Sequence, residues 1–596
     1  SPDPAAKQTG GRKWSPLQAA IFDAVAHDTR NIVVMARAGT GKTTTIIEAL
    51  LHVPQGKTSL LVAFNSAIRD ELKRRAPDHV SVRTLHQHGF MCLKRYWGDL
   101  KVGSDARDGD GVRSPDKIRR DNMLNATGAP WWRSFSNDPD GWNEELKQLL
   151  KLIDLCKGTL ANTPAKIRAL QEEFELLTVE GDPSRWRFRL SEPKRGEPKA
   201  MDGNTVIEWV QKALAFSLTP PGVDRCVSFD DMVFVPASLP NMEPERYDFV
   251  FVDETQDMNA AQLVLVRKSM QPGGRIVIVG DDRQAIYGWR GADTEAMERM
   301  RRELDARLLP LSISYRVPGC SAAEARKVVP DFSVPETTPD GQPWPEGLCQ
   351  SITAMRMVDL WRDGDFVITR VNKPIEPLVK LAVIAGLNPL ALGMGDLMRG
   401  VRDVLVAGMR TRPGSTLELL AAIDKWAERE EMRVEGEIQR KREKYGRKYD
   451  RDLGESGEPE ELVNLRLNVD AAKALIKRYN GDMDAIKQRL DSLAISDRDM
   501  EKASPDQIAS ALKDRLVISS VHRIKGQESN RTWVLEDTFR YSRSGHKPPP
   551  RGKTDSDKRK REEENLWYVA ITRVKNDPGH PGELYYVGRT KELLGV

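Results

Sequence analysis

Residues 36–43 read ARAGTGKT, directly after the apolar run NIVVMA (31–36) and at the start of the helix-patterned TTTIIEALL (43–51). A loop of this kind, leaving a strand and opening a helix, is built to cradle phosphate. Gly39 and Gly41 permit the tight backbone path. Lys42 reaches the β- and γ-phosphates, and the Thr43 hydroxyl is offered to Mg²⁺. The backbone across Ala38, Gly39, Thr40, Gly41, Lys42, Thr43 and Thr44 adds N–H donors and the field of a helix N-terminus. Ala36 stands where a first glycine is usual. A glycine turn with an incidental lysine is the plainer reading, but it leaves the strand before and the helix after unexplained.

Hydrolysis at such a loop requires carboxylates, and YDFVFVDETQD (247–257) supplies them at the end of an apolar run. Asp253 at the strand end suits Mg²⁺, held through water. Glu254 suits orienting or deprotonating an attacking water. An Asp-Glu pair alone is a common acidic turn; its place after a hydrophobic strand and downstream of the phosphate loop gives it weight.

These residues need βα units to position them, and the chain shows two regions of that texture. The first contains NIVVMA, SLLVAFN (59–65), YDFVFVD (247–253) and RIVIVGD (275–281). The second contains DFVITR (365–370), RLVISSV (515–521), RTWVLED (531–537) and ELYYVG (583–588). Each is interrupted by a helix-patterned stretch, about 97–224 and about 400–510. The first interruption carries Trp97, Trp131, Trp132, Trp142, Trp186 and Trp209, read as core residues. The expected fold class is therefore α/β, with parallel sheets flanked by helices and two mainly helical insertions.

Length and composition agree. At about 150 residues per folding unit, 596 residues suggest about four units. The 92 basic and 88 acidic residues leave a net charge of +4, which does not announce a nucleic-acid partner. No apolar run of about 20 residues exists, so no transmembrane helix is expected. SPDPAAKQTGGRKW lacks the apolar core of a signal peptide. Cys92, Cys156, Cys226, Cys320 and Cys349 form no CxxC pair, which argues for a reducing compartment without a disulfide framework or zinc site. The expectation is a soluble intracellular protein without membrane partners, in cytoplasm, nucleoid or nucleus. Two basic clusters, 440–451 (RKREKYGRKYDR) and 547–561 (KPPPRGKTDSDKRKR), read as solvated faces or as backbone contacts for a polyanion.

The order of motifs from Gln18 to Arg573 resembles the superfamily 1A DNA helicases of the UvrD/Rep/PcrA-like branch. The segments FNSAI and TLHQHGF look closest to the F-box DNA helicases. The resemblance implies two RecA-like P-loop motor domains, each with a helical insertion. The first motor domain would comprise 1–96 and 225–300 around an insertion at 97–224. The second would comprise 301–400 and 511–596 around an insertion at 401–510.

By the same resemblance, Gln18 in WSPLQAAIF reads the adenine edge of ATP. DETQD gives Asp253 to Mg²⁺ and Glu254 to catalysis. VGDDRQAIYGWRGA gives Gln284 as γ-phosphate sensor and Tyr287, Trp289 and Arg290 as contacts to single-stranded DNA. LSISYRVP makes Tyr315 an adenine stacker and Arg316 an arginine finger, with Ser314 where the family has Asn. SSVHRIKGQE places Glu528 on the ribose and His522 on the DNA side. LWYVAITRVK makes Arg573 the second finger. Phe64, Asn65, Thr84 and His86 fall at DNA-contacting segments, and SFDDM (228–232) resembles the acidic box that precedes the carboxylate strand.

The implied activity is ATP- and Mg²⁺-dependent 3′→5′ translocation on single-stranded DNA, with unwinding at single-strand/duplex junctions. Replication or recombination proteins are the expected protein partners. A translocase that strips proteins from DNA, and a P-loop ATPase switch in a replication complex, are the competing readings. ELYYVG is the short candidate for a strand-separating hairpin.

Overall fold

The computed structural model describes residues 13–102, 114–128, 144–177, 203–288, 295–445, 459–496, 499–500, 503, 505–547 and 557–590. The chain divides into two compact units. One comprises residues 1–36 with 42–311; the other comprises 37–41 with 312–596.

The first unit is built on six parallel strands: β1 (Ile32–Ala36), β2 (Ser59–Ala63), β3 (Val80–Thr84), β4 (Tyr247–Val252), β5 (Met270–Gly280) and β6 (Arg307–Leu311). Their spatial order is β3-β2-β4-β5-β1-β6. Strand residues alternate between two cores. Ile32, Val34, Leu61 and Ala63 enter one; Val33, Leu60 and Val62 enter the other. Burial of both faces explains why these runs are apolar throughout rather than alternating with polar residues. Because β6 pairs with β1, the first unit runs to Leu311, past the expected boundary at 300.

Helices Pro115–Thr127, Glu144–Thr159, Pro164–Phe174 and Gly203–Ser217 occupy the first interruption and build a core around Leu149, Ile153, Ile167 and Val210. Trp209 is buried in it and Trp97 packs against it. Trp131, Trp132, Trp142 and Trp186 lie outside the described residues. Asp231 of the SFDDM box ties this insertion down, accepting from Arg119 Nε at 3.0 Å and Lys157 Nζ at 2.8 Å. Burial opposes its ionisation, but Lys157 and Arg119 outweigh that and hold its pKa low.

The second unit is a seven-stranded parallel sheet. Its strands are β7 (Leu348–Thr353), β8 (Phe366–Thr369), β9 (Pro389–Leu392), β10 (Ala494–Ile495), β11 (Leu516–Ser520), β12 (Arg531–Leu535) and, after the small antiparallel pair β13 (Tyr541–Ser542) and β14 (Gly545–His546), β15 (Glu583–Gly588). The spatial order is β10-β9-β11-β8-β12-β15-β7. Helices Arg399–Met409, Thr416–Tyr445, Glu460–Arg478 and Met483–Asp491 lie between β9 and β10 and share one core with the sheet, through Leu419, Ile423, Val469 and Leu475. The α/β class with parallel sheets flanked by helices is borne out.

One expectation is corrected. ELYYVG is not a hairpin: it is β15, an interior strand paired in parallel with β12 on one side and β7 on the other. Leu584, Tyr585, Tyr586 and Val587 are buried, so the segment has no free face or edge to present to a duplex. Among the described residues no helix is long and apolar enough to cross a membrane.

Candidate active site

In the first unit, the phosphate-loop helix Lys42–Leu51 begins beside the carboxylates at the end of β4. Lys42 Nζ lies 3.2 Å from Glu254 Oε1. The Thr43 hydroxyl hydrogen-bonds to the Asp253 carboxylate, which is 2% exposed. Burial, and then the charge of adjacent Glu254, push the Asp253 pKa up to about 7. A hydroxyl and a carboxylate already within bonding reach are the donor set for a hard cation such as Mg²⁺, whose charge would hold Asp253 ionised.

Glu254 has φ 51°, left-handed for a non-glycine residue. Such a conformation costs on the order of 1–3 kcal/mol and is retained where surrounding contacts enforce it. Here those contacts are visible. Gln256 Nε2 donates to the Glu254 carboxylate, and Gln256 Oε1 accepts from Asp281 N at 3.1 Å. Asp281 Oδ2 accepts from Gln284 Nε2 at 2.8 Å. A side chain at Gly280 would collide with Gln256 Oε1 and Met297 Sδ, so the glycine preserves the relay. Lys42, Glu254, Gln256, Asp281 and Gln284 thus form one connected chain across three loops. Gln256 and Asp281 were not singled out from sequence, although both lie inside quoted motifs.

Gln18 is buried, and both ends of its amide are engaged. Its Oε1 accepts from Ser15 N at 3.1 Å in a capping box, and its Nε2 donates to Thr45 Oγ1 at 3.0 Å. Of the residues assigned to DNA, Phe64 is 38% exposed, and Asn65 caps helix Ser66–Arg75 by accepting from Ile68 N at 2.8 Å. Thr84 caps helix Leu85–Trp97. The His86 ring stacks on Phe229 with centroids 3.8 Å apart, and burial pushes its pKa down to about 4. Tyr287 is half-buried just past Gln284. Trp289 and Arg290 lie outside the described residues.

The second unit includes residues 37–41. Gly39 and Gly41 have φ 75° and 77°, where glycine is favoured. A Cβ at Gly39 would sit 2.5 Å from Arg316 Cβ. Ala38 N donates to Tyr568 Oη at 2.9 Å, Thr40 Oγ1 donates to Arg37 O at 2.9 Å, and Gly39 O accepts from Tyr315 N at 2.9 Å. The Tyr315 ring is 46% exposed.

Arg316 Nε pairs with Glu528 Oε2 at 2.7 Å, and its Nη1 donates to Thr572 O at 3.3 Å. Lys575 Nζ lies 3.9 Å from Glu528 Oε1. Arg573 is buried, donating to Val569 O at 2.9 Å, Gln527 O at 3.4 Å and Thr572 Oγ1 at 3.3 Å. Arg316, Glu528 and Arg573 therefore gather in one cluster. His522 is half-buried in the turn after β11. Ser314 is fully buried, and its Oγ finds no hydrogen-bond partner among the described residues.

Residues 17–305 match the UvrD/REP helicase N-terminal domain family. Over that stretch, short of half of the chain, the protein is similar to the UvrD/REP helicases. It is 24% identical over 319 residues to the ATP-dependent DNA helicase Rep of Escherichia coli, covering 50% of this chain and 40% of that protein. The Buchnera aphidicola Rep is 23% identical over 319 residues, covering 50% of this chain and 42% of that protein. The ATP-dependent DNA helicase PcrA of Staphylococcus aureus is 24% identical over 332 residues, covering 52% and 39% respectively. The chain thus spans about two fifths of the length of these curated relatives. The superfamily 1A, UvrD/Rep/PcrA-like resemblance is borne out.

The basic clusters lie partly outside the described residues. In 440–451, Lys441 Nζ pairs with Glu461 Oε1 at 2.8 Å; 446–451 lie outside the described residues. In 547–561, Lys547 Nζ donates to Asp537 O at 2.7 Å, and 548–556 lie outside.

Proposed function

We propose that this protein is an ATP-dependent DNA helicase or translocase that moves 3′→5′ on single-stranded DNA. The observation that carries the reading is the relay Lys42–Glu254–Gln256–Asp281–Gln284, which joins a phosphate-binding lysine, a candidate base and a candidate γ-phosphate sensor. ATP binds with its phosphates on the loop of residues 38–44. Gln18 and Tyr315 flank the adenine, Glu528 meets the ribose, and Thr43 and Asp253 hold Mg²⁺. Glu254 activates the attacking water, while Arg316 and Arg573 of the second unit neutralise the developing γ-phosphate charge. Phe64, Asn65, Thr84, His86, Tyr287, Trp289, Arg290 and His522 contact DNA; stacking on the aromatics is sequence-tolerant and releasable, as a stepping motor requires. In this reading the motor domains and insertions follow the domain limits set out above, with the first extended through β6.

The second reading, a translocase that strips proteins with little unwinding, gains support from the reassignment of 583–588 to a sheet interior. That segment was the candidate strand-separating device. Strand displacement on 3′-tailed, 5′-tailed and forked duplexes, with Glu254→Gln as the inactive control, tests both. Displacement from 3′ tails is expected. Displacement from 5′ tails alone overturns the polarity. DNA-stimulated ATPase with no displacement favours stripping. No DNA-stimulated ATPase removes the motor reading altogether.

A further inference from the structure

Within the second unit, successive residues of the phosphate loop are each gripped by a group from elsewhere in the chain. Arg37 Nε donates to both carboxylate oxygens of Asp331 at 3.1 Å, and its Nη2 lies 3.0 Å from Oδ1. Ala38 N donates to Tyr568 Oη and Gly39 O accepts from Tyr315 N, each at 2.9 Å. Inside the loop, Thr40 N and Oγ1 both donate to Arg37 O, at 3.4 and 2.9 Å, which closes the turn.

The anchors are themselves fixed. Tyr568 is wholly buried in helix Asp557–Ile571, and its ring meets Phe332 edge-on with centroids 5.8 Å apart. Ser333 N donates to Ser312 O at 3.1 Å and Ser314 N to Ser333 O at 2.7 Å. The segment holding Asp331 and Phe332 is thereby tied to the stretch that leads into Tyr315. The same elements carry the candidate arginine fingers. Arg316 follows Tyr315, and Arg573 lies just past the Tyr568 helix, where Thr572 N and Oγ1 donate to Tyr568 O at 3.2 and 2.8 Å.

A loop that must order itself around a ligand loses affinity to the entropy of ordering, whereas a loop already held in shape does not. A planar guanidinium on a carboxylate and a buried hydroxyl on a backbone N–H are both suited to that holding. We propose that Arg37, Asp331 and Tyr568 are positioning residues of the nucleotide site, holding residues 37–41 in the shape that receives the phosphates of ATP. The inference rests on the assignment of this loop to ATP made above. The Tyr568 hydroxyl keeps the Ala38 N–H when nucleotide binds, and the phosphates are left to the N–H groups from Gly39 onward.

The test measures binding of a fluorescent ATP analogue with Mg²⁺, and steady-state ATPase with single-stranded DNA, on the full chain. Tyr568→Phe keeps the ring against Phe332 and removes only the hydroxyl. It should weaken nucleotide binding and raise KM by roughly three- to tenfold, with kcat at saturating ATP nearly unchanged. Asp331→Asn breaks the grip on Arg37 at a half-exposed carboxylate and should do the same by about two- to fivefold. A merely structural role would lower the melting temperature and leave KM alone. An unchanged KM in either folded variant overturns the proposal, and Asp331→Asn decides it if Tyr568→Phe misfolds. Tighter binding by Tyr568→Phe also overturns it, since the hydroxyl would then compete with phosphate for the Ala38 N–H. Lys42→Ala separates this inference from the reading beneath it. If the native chain binds ATP no better than Lys42→Ala, the nucleotide reading falls and the inference with it. A native chain that binds, beside two variants that bind as well, sinks the inference alone.

Discussion

The candidate site residues of the two units are held by different means. In the first, the polar residues bind one another: Lys42 to Glu254, Glu254 to Gln256, Gln256 to the Asp281 backbone, and Asp281 to Gln284. In the second, Arg573 is held by carbonyls and a hydroxyl, and Arg316 by one carboxylate and one carbonyl. A closed side-chain relay is set in place before any ligand arrives, so it costs little reorganisation at the moment of reaction. In the proposed reaction, arginines held by local partners would exchange those contacts for a phosphate. On the proposed function, the first unit's site residues are preorganised and the second unit's arginines respond to the ligand.

The largest effect should follow loss of a responsive contact. Arg316→Ala is expected to lower DNA-stimulated kcat by ~10³–10⁵ with the melting temperature nearly unchanged, since its ion pair with Glu528 is partly exposed. Arg573→Ala should match it in rate but also destabilise by roughly 1–3 kcal/mol, because three hydrogen-bonding groups lose their buried partner. Steady-state ATPase and urea melts separate the two. A loss below tenfold for Arg316→Ala would remove the arginine from the reaction.

A smaller loss is expected from the preorganised side. Glu254→Gln should reduce kcat by roughly 10²–10⁴ while leaving ATP affinity within a fewfold, because the amide keeps the shape of the relay but not the base. Fluorescent-nucleotide binding beside ATPase assays checks both halves. If ATP affinity collapsed instead, Glu254 would be holding Lys42 in place rather than acting on water.

The first unit also carries a pH liability. His88 is buried, with Nε2 2.9 Å from Ser269 Oγ, and burial, then Arg83, depress its pKa to about 4 from the ordinary 6.5. Between these values the unfolded chain binds the proton and the folded chain does not. Stability due to neutral His88 is thus complete above about pH 6.5 and is lost as pH falls toward 4, by on the order of 3 kcal/mol. Urea unfolding at pH 7, 5.5 and 4.5 should show this slope in the native chain and a shallower one in His88→Gln. Equal slopes would mean that the depressed histidine does not govern acid sensitivity.

Legibility from sequence follows the range of the interaction. Lys42, Thr43, Asp253 and Glu254 were readable because a loop's chemistry and its flanking strand or helix lie within a dozen residues. The relay through Gln256 and Asp281 was not, because it exists only once β4 and β5 are neighbours. The stack of His86 on Phe229 and the grip of Arg119 and Lys157 on Asp231 likewise depend on packing across the chain. ELYYVG shows the limit most plainly. An apolar, tyrosine-rich run suits a hairpin or a sheet interior equally, and only pairing with β12 and β7 decides.

The smallest effect probes the same contrast at a single atom. The first unit's relay leaves few polar ends idle, yet Ser314 Oγ in the second is buried with no hydrogen-bond partner among the described residues. It stands where the resembling family has Asn, and the shorter side chain finds no partner there. A buried hydroxyl without a partner is a cost, and removing it relieves desolvation at the expense of a small void. Ser314→Ala is therefore expected to leave stability unchanged or raise it by up to about 1 kcal/mol, with ATPase activity retained. A fall of about 1 kcal/mol or more in urea melts would mean that the hydroxyl has a partner in solution.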